Sequence, residues 1–200
     1  MSDAALRLSG IACARGGRML FRGVDLSLQA GGSALLRGPN GIGKSSLMRI
    51  CAGLLRPMAG TIERRGRIAL ADERLALEME EPLRAALGFW ARLDGVNAAA
   101  LDRALDAMAL GPLADIPVRM LSTGQRKRAS LARVIAGGAP LWLLDEPGNG
   151  LDDASLALLG TAVAAHLAGG GIVVAASHQP LPMTAPAIVE LADYVAEDAA

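Results

Sequence analysis

An α/β fold is what this sequence predicts, and three observations predict it. Short apolar runs alternate with helical stretches through the C-terminal half. Two of those runs, Leu141–Leu144 and Ile172–Ala176, contain no polar residue, as strands covered on both faces of a parallel sheet require. A glycine-rich loop, Gly38–Gly43, joins a third apolar run to an apolar helix.

The elements can be read in order. Leu6-Arg7-Leu8 and Val24–Leu28 alternate apolar and polar residues and are followed by glycine-rich turns, so both read as strands with one wet face. Ala34–Arg37 is a short apolar strand running into Gly38. Ser45–Leu55 is an apolar helix, stopped by Pro57 and Gly60. Thr61–Leu70 reads as a further strand or a hairpin. Glu80–Leu110 is helical in pattern and rich in Ala, Leu and Arg, and Pro112 and Pro117 break the helical pattern beyond it. Thr123–Ala136 predicts a helix with a basic, exposed face. After the strand Leu141–Leu144, Leu156–Leu167 reads as a helix, Ile172–Ala176 as a buried strand and Ile188–Leu191 as a last edge element. The acidic end, Glu197 to Ala200, is expected to fray. The 200 residues form one domain, with a helical subdomain inserted at about 75–137 and a small antiparallel β subdomain near the N-terminus.

Composition narrows the function. With 52% hydrophobic residues the chain can bury a core, which excludes a disordered protein. Twenty basic residues balance 20 acidic ones, so binding to nucleic acid through bulk positive charge is excluded. Cys13 and Cys51 alone make neither a disulfide scaffold nor a cysteine-rich zinc site. They read as small hydrophobes. Two histidines are too few for a His-rich metal site. Met1 to Gly10 lacks a basic segment followed by an apolar one, so no secretory leader is expected. Leu156–Ser177 carries no charge and is long enough to suggest a membrane span, but Gly169, Gly170 and Gly171 split it into a helix, a turn and a strand.

The chemistry lies in three segments. Gly38-Pro39-Asn40-Gly41-Ile42-Gly43-Lys44-Ser45 satisfies G-x-x-x-x-G-K-S/T without a gap, between a predicted strand and a predicted helix. Its glycines let backbone N–H groups turn inward around a phosphate, and the helix adds the positive end of its dipole. Lys44 reaches the β- and γ-phosphates, the Ser45 hydroxyl ligates Mg²⁺, and Ser46 follows on the same first turn. The bland reading, a glycine-rich turn with an exposed lysine, is weak because Lys44 is one of only two lysines, the other being Lys127. In the second segment, the strand Leu141–Leu144 ends in Asp145-Glu146, placing two carboxylates at the carboxyl edge of a parallel sheet. Asp145 is expected to hold Mg²⁺ through water and Glu146 to polarise an attacking water. In the third, Leu121-Ser122-Thr123-Gly124-Gln125, Ser122 caps the next helix and Gly124 lets a phosphate approach the backbone. A second phosphate-type element beyond a helical insert makes sense when two chains pair head to tail, each offering Ser122 to the ATP on the other's Lys44.

On these motifs the chain resembles the ATPase subunits of ABC transporters over nearly its whole length. The phosphate loop is similar to their Walker A, Leu121–Gln125 to their signature and Leu141–Glu146 to their Walker B. Asn149-Gly150-Leu151-Asp152 is similar to their D-loop, with Asp152 its acidic member, and His178 to their switch histidine. The intervals fit as well, 20 residues from Gln125 to Asp145 and 33 from Asp145 to His178. The resemblance implies a P-loop NTPase core of ABC ATPase type, Mg²⁺ with ATP, homodimerisation and integral-membrane partner subunits. It also implies that His178 bonds the γ-phosphate and keeps it aligned with the water on Glu146. His166 has no such place and is taken as structural.

Three departures from the family stand out. The glutamine that follows the strand leading into the insert is absent; Glu73 is the nearest equivalent and Arg74 lies one residue away. The aromatic that stacks on adenine is replaced by Arg15, whose guanidinium can also stack on a purine. The stretch from Gly60 to Glu73 is short, which implies that the β subdomain lacks a hairpin.

Within the family, Arg15–Phe21, Ile116–Arg119, Gly124–Arg128 and Ser177–Leu181 are similar to the ATP-binding subunit of the bacterial haem exporter that serves cytochrome c maturation. That resemblance implies a peripheral protein on the cytoplasmic face of the inner membrane. An exporter of lipid, drug or peptide and a weakly hydrolysing assembly module remain alternatives. A soluble factor on ribosomes or DNA is disfavoured by the single cassette and the absence of a basic surface.

Overall fold

The computed structural model describes residues 3–195, and two sheets organise it. The acidic end, Glu197 to Ala200, lies outside the described residues. Strands β1 (Ala5–Arg15), β2 (Arg18–Gln29) and β4 (Ala59–Arg65) form an antiparallel sheet in the order β2-β1-β4. Leu6 and Leu8 are buried and Arg7 between them is exposed, which is the alternation seen in the sequence. The parallel sheet has the order β5-β6-β7-β3-β8, from β3 (Ser33–Arg37), β5 (Ile68–Ala71), β6 (Leu141–Asp145), β7 (Ile172–Ala176) and β8 (Ala187–Glu190). Every residue of β6 and β7 is buried, as their apolar runs require.

The register of this sheet decides where chemistry can occur. Leu36 of β3 and Asp145 of β6 both pair with Ala176 of β7. The three carboxyl ends are therefore level, and the loops that leave them emerge side by side.

Thr61–Leu70 is neither one strand nor a hairpin. Gly66, at φ 105°, turns the chain so that β4 joins the antiparallel sheet and β5 the parallel one. Helix α1 (Lys44–Ala52) ends before the predicted Leu55. Gly53 takes φ 78°, and Leu54 N–H donates back to the Arg49 carbonyl at 2.8 Å. That glycine cap stops the helix ahead of Pro57. The helical stretch after residue 80 is two helices, α2 (Leu83–Leu93) and α3 (Ala98–Ala107), parted by a turn at Gly95. Helix α4 (Thr123–Gly137) packs on both of them and on β5. Helix α5 (Asp153–Ala168) starts earlier than predicted because Asp152 caps it, accepting from Ser155 N–H at 2.8 Å. Among the described residues no helix is long and apolar enough to cross a membrane.

The basic face of α4 is not exposed. Arg126 donates to the Val118 and Arg119 carbonyls, Arg128 to those of Met108 and Ala109, and Arg133 to that of Leu70 at 2.6 Å. Arg126 and Arg128 satisfy carbonyls near the ends of short helical turns and Arg133 one near the end of β5, which a helical wheel cannot reveal.

Two apolar clusters hold the layers. One lies between the sheets and α1 and includes Leu6, Phe21, Leu36, Met48 and Val174. The other lies between the parallel sheet and α2 to α5 and includes Leu87, Leu105, Leu131 and Leu144. Each such side chain contributes about 1.5–3 kcal/mol by leaving water. Cys13 and Cys51 are buried, and burial pushes the Cys51 thiol up to about 12.

Candidate active site

The loop between β3 and α1 has one shape open to it. Gly43 has φ 117°, and a Cβ there would lie 2.9 Å from the buried Phe21 ring. Only glycine meets both the backbone and the packing demand. No side chain caps α1, so its first N–H groups remain available to an anion. Lys44 is buried, and its Nζ donates to the carbonyls of Gly38 at 2.7 Å and Pro39 at 3.3 Å. The same Nζ stands 3.8 Å from Glu146 Oε1.

A cleft of about 500 Å³ opens over this loop. Asn40, Gly41, Gly43, Lys44, Ser45 and Ser46 form its floor. Gly38, Pro39 and Ile42 shape the loop from behind, with Ile42 packed on the core. Arg15, Glu73, Glu146 and His178 form the walls, so four elements distant in sequence converge there. Glu73, not Arg74, is the residue that reaches the cleft; Arg74 N–H donates to the Asp72 carboxylate in a local turn.

Asp145 and Glu146 leave the end of β6 in different environments. Asp145 is buried, and its Oδ1 has no hydrogen-bond partner. Burial raises its carboxyl above the ordinary value, the neighbouring Ser45 hydroxyl acts the other way, and the charges of Glu146 and Glu73 add to the rise. Glu146 is also buried and has φ 46°, a left-handed backbone unusual for a non-glycine residue. Its N–H donates to the Ala176 carbonyl at 2.8 Å, which holds the strained turn beside β7. His178 Nδ1–H donates to Glu146 Oε2 at 3.0 Å. Ser177, buried just before it, exchanges hydrogen bonds with the Gln179 backbone at 2.9 and 3.0 Å and fixes that loop.

Ser122 and Gln125 form a reciprocal cap on α4. Ser122 Oγ accepts from Gln125 N–H at 3.3 Å, and the Gln125 side chain accepts from Ser122 N–H at 2.8 Å. A Cβ on Gly124 would lie 3.0 Å from the Gly150 carbonyl, so this turn sits against the loop after β6. None of Ser122, Gly124 and Gln125 lines the cleft that holds Lys44. Asp152 spends its carboxylate on the α5 cap, and Asn149, three residues earlier, lines the cleft instead.

Sequence reasoning misses two residues. Arg49 lines the cleft from one turn along α1, a position that the i, i+4 spacing from Ser45 could have revealed. Lys127 donates to the Asp145 carbonyl at 3.5 Å from the first half of α4. Only the packing of α4 beside the parallel sheet brings it there. His166 stays outside the site. Its ring stacks on Trp142 at 3.8 Å and 10°, and its Nε2 lies 3.2 Å from the Pro140 carbonyl.

The ABC transporter family profile matches residues 21–149. The chain is 61% identical over 173 residues to the cytochrome c biogenesis ATP-binding export protein CcmA of Sphingopyxis alaskensis, spanning 86% of this chain and 89% of that one. It is 57% identical over 183 residues to the protein of the same name from Novosphingobium aromaticivorans, spanning 92% and 93%. Among solved structures, a putative ABC transporter ATP-binding protein from Pyrococcus furiosus superposes with a TM-score of 0.84 at 23% identity, over 96% of this chain and all of that one. A putative metal-chelate type ABC transporter in an inward-facing conformation superposes with a TM-score of 0.77 at 26% identity, over 88% and 74%.

Proposed function

This chain belongs to the ABC transporter ATP-binding family, and from that membership we propose that it drives the haem export step of cytochrome c biogenesis. It acts as a homodimer bound to integral-membrane subunits on the cytoplasmic face of a bacterial inner membrane. The convergence of Lys44, Ser45, Glu146 and His178 on one cleft, with Asp145 buried next to it, carries the catalytic part of this reading. The names of relatives that match nearly end to end support the export part.

The residues present suit Mg²⁺ bound with the nucleotide. Ser45 and Asp145 offer hard oxygen donors, and the buried, unpartnered Asp145 Oδ1 is a carboxylate oxygen that a cation would satisfy. When bound, Mg²⁺ neutralises charge on the phosphates. Lys44 and the α1 N-terminus hold the phosphates, and Arg15 lies against the base. Glu146 takes a proton from the attacking water, and His178 keeps its carboxylate turned toward that water. Ser122, Gly124 and Gln125 of a second copy close the cleft over the nucleotide, and the D-loop with Asp152 lies at that junction.

The membrane subunits dock in a second groove. It measures about 640 Å³ and opens at Leu75, two residues after Glu73. Half-exposed Phe89 and partly buried Trp90 supply an apolar floor, and Glu78 and Glu81 with Arg92 form a rim of net negative charge. A cytoplasmic segment with an apolar side and a basic residue complements it. Movement of that segment passes to the nucleotide through Glu73.

The test is complementation. A bacterium lacking its own counterpart should regain haem-loaded periplasmic cytochrome c with this chain and its membrane subunits. Lys44→Ala should not restore it. Normal cytochrome c assembly without the chain would overturn the export reading.

A further inference from the structure

The two lysines of the chain flank the carboxylate end of β6 from opposite sides. Lys44 approaches Glu146 from the phosphate loop at 3.8 Å. Lys127 approaches from α4, partly buried, and donates to the Asp145 carbonyl at 3.5 Å. Four carboxylates act on Lys127, namely Asp145 and Glu146 from the end of β6 and Asp72 and Glu73 from the end of β5. Burial lowers the proton affinity of its ammonium, and each of those carboxylates raises it. Arg126, Arg128 and Arg133 on the same helix are committed to carbonyls elsewhere. No ion pair is formed by Asp72, Glu73 or Asp145 among the described residues.

The charge balance of the cleft gives this placement a consequence. Glu73 lines the cleft and brings a negative charge toward a site built for phosphates. Lys44 is already engaged with the loop carbonyls and Glu146, and Arg15 and Arg49 line the nucleotide side of the cleft, which leaves Lys127 as the cation set behind the carboxylates. A cation behind the carboxylate cluster offsets Glu73 without blocking the nucleotide.

We infer that Lys127 is a positioning residue whose charge compensates Glu73, so that the cleft accepts a nucleoside triphosphate despite a carboxylate on its wall. This rests on the nucleotide-site reading of the same cleft. Lys127 does not line the cleft. It acts through the end of β6, which its bond to the Asp145 carbonyl ties to α4.

The test is binding of trinitrophenyl-ATP to the full chain, with and without Mg²⁺. By Coulomb's law, removing a charge that acts over about 10 Å in a partly screened medium changes an equilibrium constant by about five-fold. Lys127→Met keeps the apolar stem and should weaken binding by about that factor. Lys127→Arg should stay within about two-fold of wild type, and Glu73→Gln should tighten binding. The double variant Lys127→Met with Glu73→Gln should return to near the wild-type Kd. A packing role predicts none of this rescue. If Lys127→Met leaves Kd unchanged, or if Glu73→Gln fails to rescue it, the compensation is overturned. If Lys127→Met does not fold, Glu73→Gln alone decides, because an unchanged Kd there removes the charge that needs compensating. Lys44→Ala separates the two levels. Loss of binding in Lys44→Ala with no effect of Lys127→Met rejects this inference alone, while intact binding in Lys44→Ala rejects the nucleotide-site reading beneath it.

Discussion

His178 and Glu146 are hydrogen-bonded at 3.0 Å through Nδ1 and Oε2, although 32 residues separate them. The bond is possible because Asp145 and Ala176 are register partners, so both residues leave the sheet at one level. Glu146 Oε1, turned toward Lys44, has no hydrogen-bond partner of its own. One oxygen is thus anchored by His178 and the other faces the Lys44 ammonium.

Glu146→Gln should lower ATP turnover of the intact complex by at least about 100-fold while ATP binding persists, because the amide keeps the shape but accepts no proton. His178→Ala should cost less, since the carboxylate remains. The two losses should not add, because both act through one oriented carboxylate. Steady-state ATPase assays of the two single variants and the double variant check this. Additive losses would mean that His178 acts independently of Glu146.

Glu146→Gln with ATP should also convert the isolated chain from monomer to dimer on sizing. Ser122, Gly124 and Gln125 stand outside the cleft of their own chain, and in the proposed reading a second copy supplies them. A monomer with ATP demonstrably bound would contradict the composite site.

Asp145→Asn should abolish Mg²⁺-dependent turnover and yet raise the melting temperature of the chain measured without nucleotide. A buried carboxylate with an unpartnered oxygen costs stability that a neutral amide recovers in part. A gain of about 1 kcal/mol corresponds to roughly 2–4 °C for a domain of this size. A fall in Tm would show that the carboxylate is satisfied by contacts other than Ser45.

What can be read from the sequence depends on where each signal resides. The phosphate loop and the end of β6 are contiguous motifs whose chemistry is local, so spacing alone finds Lys44, Ser45, Asp145 and Glu146. The strands of the parallel sheet are legible because burial on both faces leaves uninterrupted apolar runs. Lys127 escapes because its place depends on packing between elements, whereas Arg49 is within reach of the helical spacing from Ser45. The exposed face predicted for α4 fails for a related reason, since its arginines find carbonyls at the ends of other elements. Thr61–Leu70 is ambiguous because strand propensity does not say which sheet a strand joins.

Phe89→Asp should block assembly with the membrane subunits and leave ATP binding by the isolated chain intact. Phe89 is half exposed on α2, and a carboxylate there joins Glu78 and Glu81 on a rim that is already acidic. Co-purification with the membrane subunits is the measurement. Retained assembly would place the docking surface elsewhere.

His166 should make the fold sensitive to mildly acidic pH. Its ring is stacked on Trp142 and hydrogen-bonded to the Pro140 carbonyl. It also crowds Gly171 so closely that any side chain there would collide with it. Burial holds its pKa below the ordinary value of 6.5, against the pull of the backbone carbonyls toward the charged form. In the unfolded chain His166 titrates at its ordinary value. Below that pH the unfolded chain binds a proton that the folded chain resists, so unfolding is favoured. The contribution of neutral His166 is therefore complete above pH 6.5 and is lost as pH falls from there through the folded-state value. Denaturant midpoints should drop between about pH 7.5 and 5.5, above the range where carboxylates titrate. His166→Phe keeps an aromatic face on Trp142, gives up the bond to Pro140 and cannot titrate. It should be less stable at pH 7.5 by about 1 kcal/mol, and its midpoint should vary less with pH. Parallel curves for the two proteins would assign the acid sensitivity to another group.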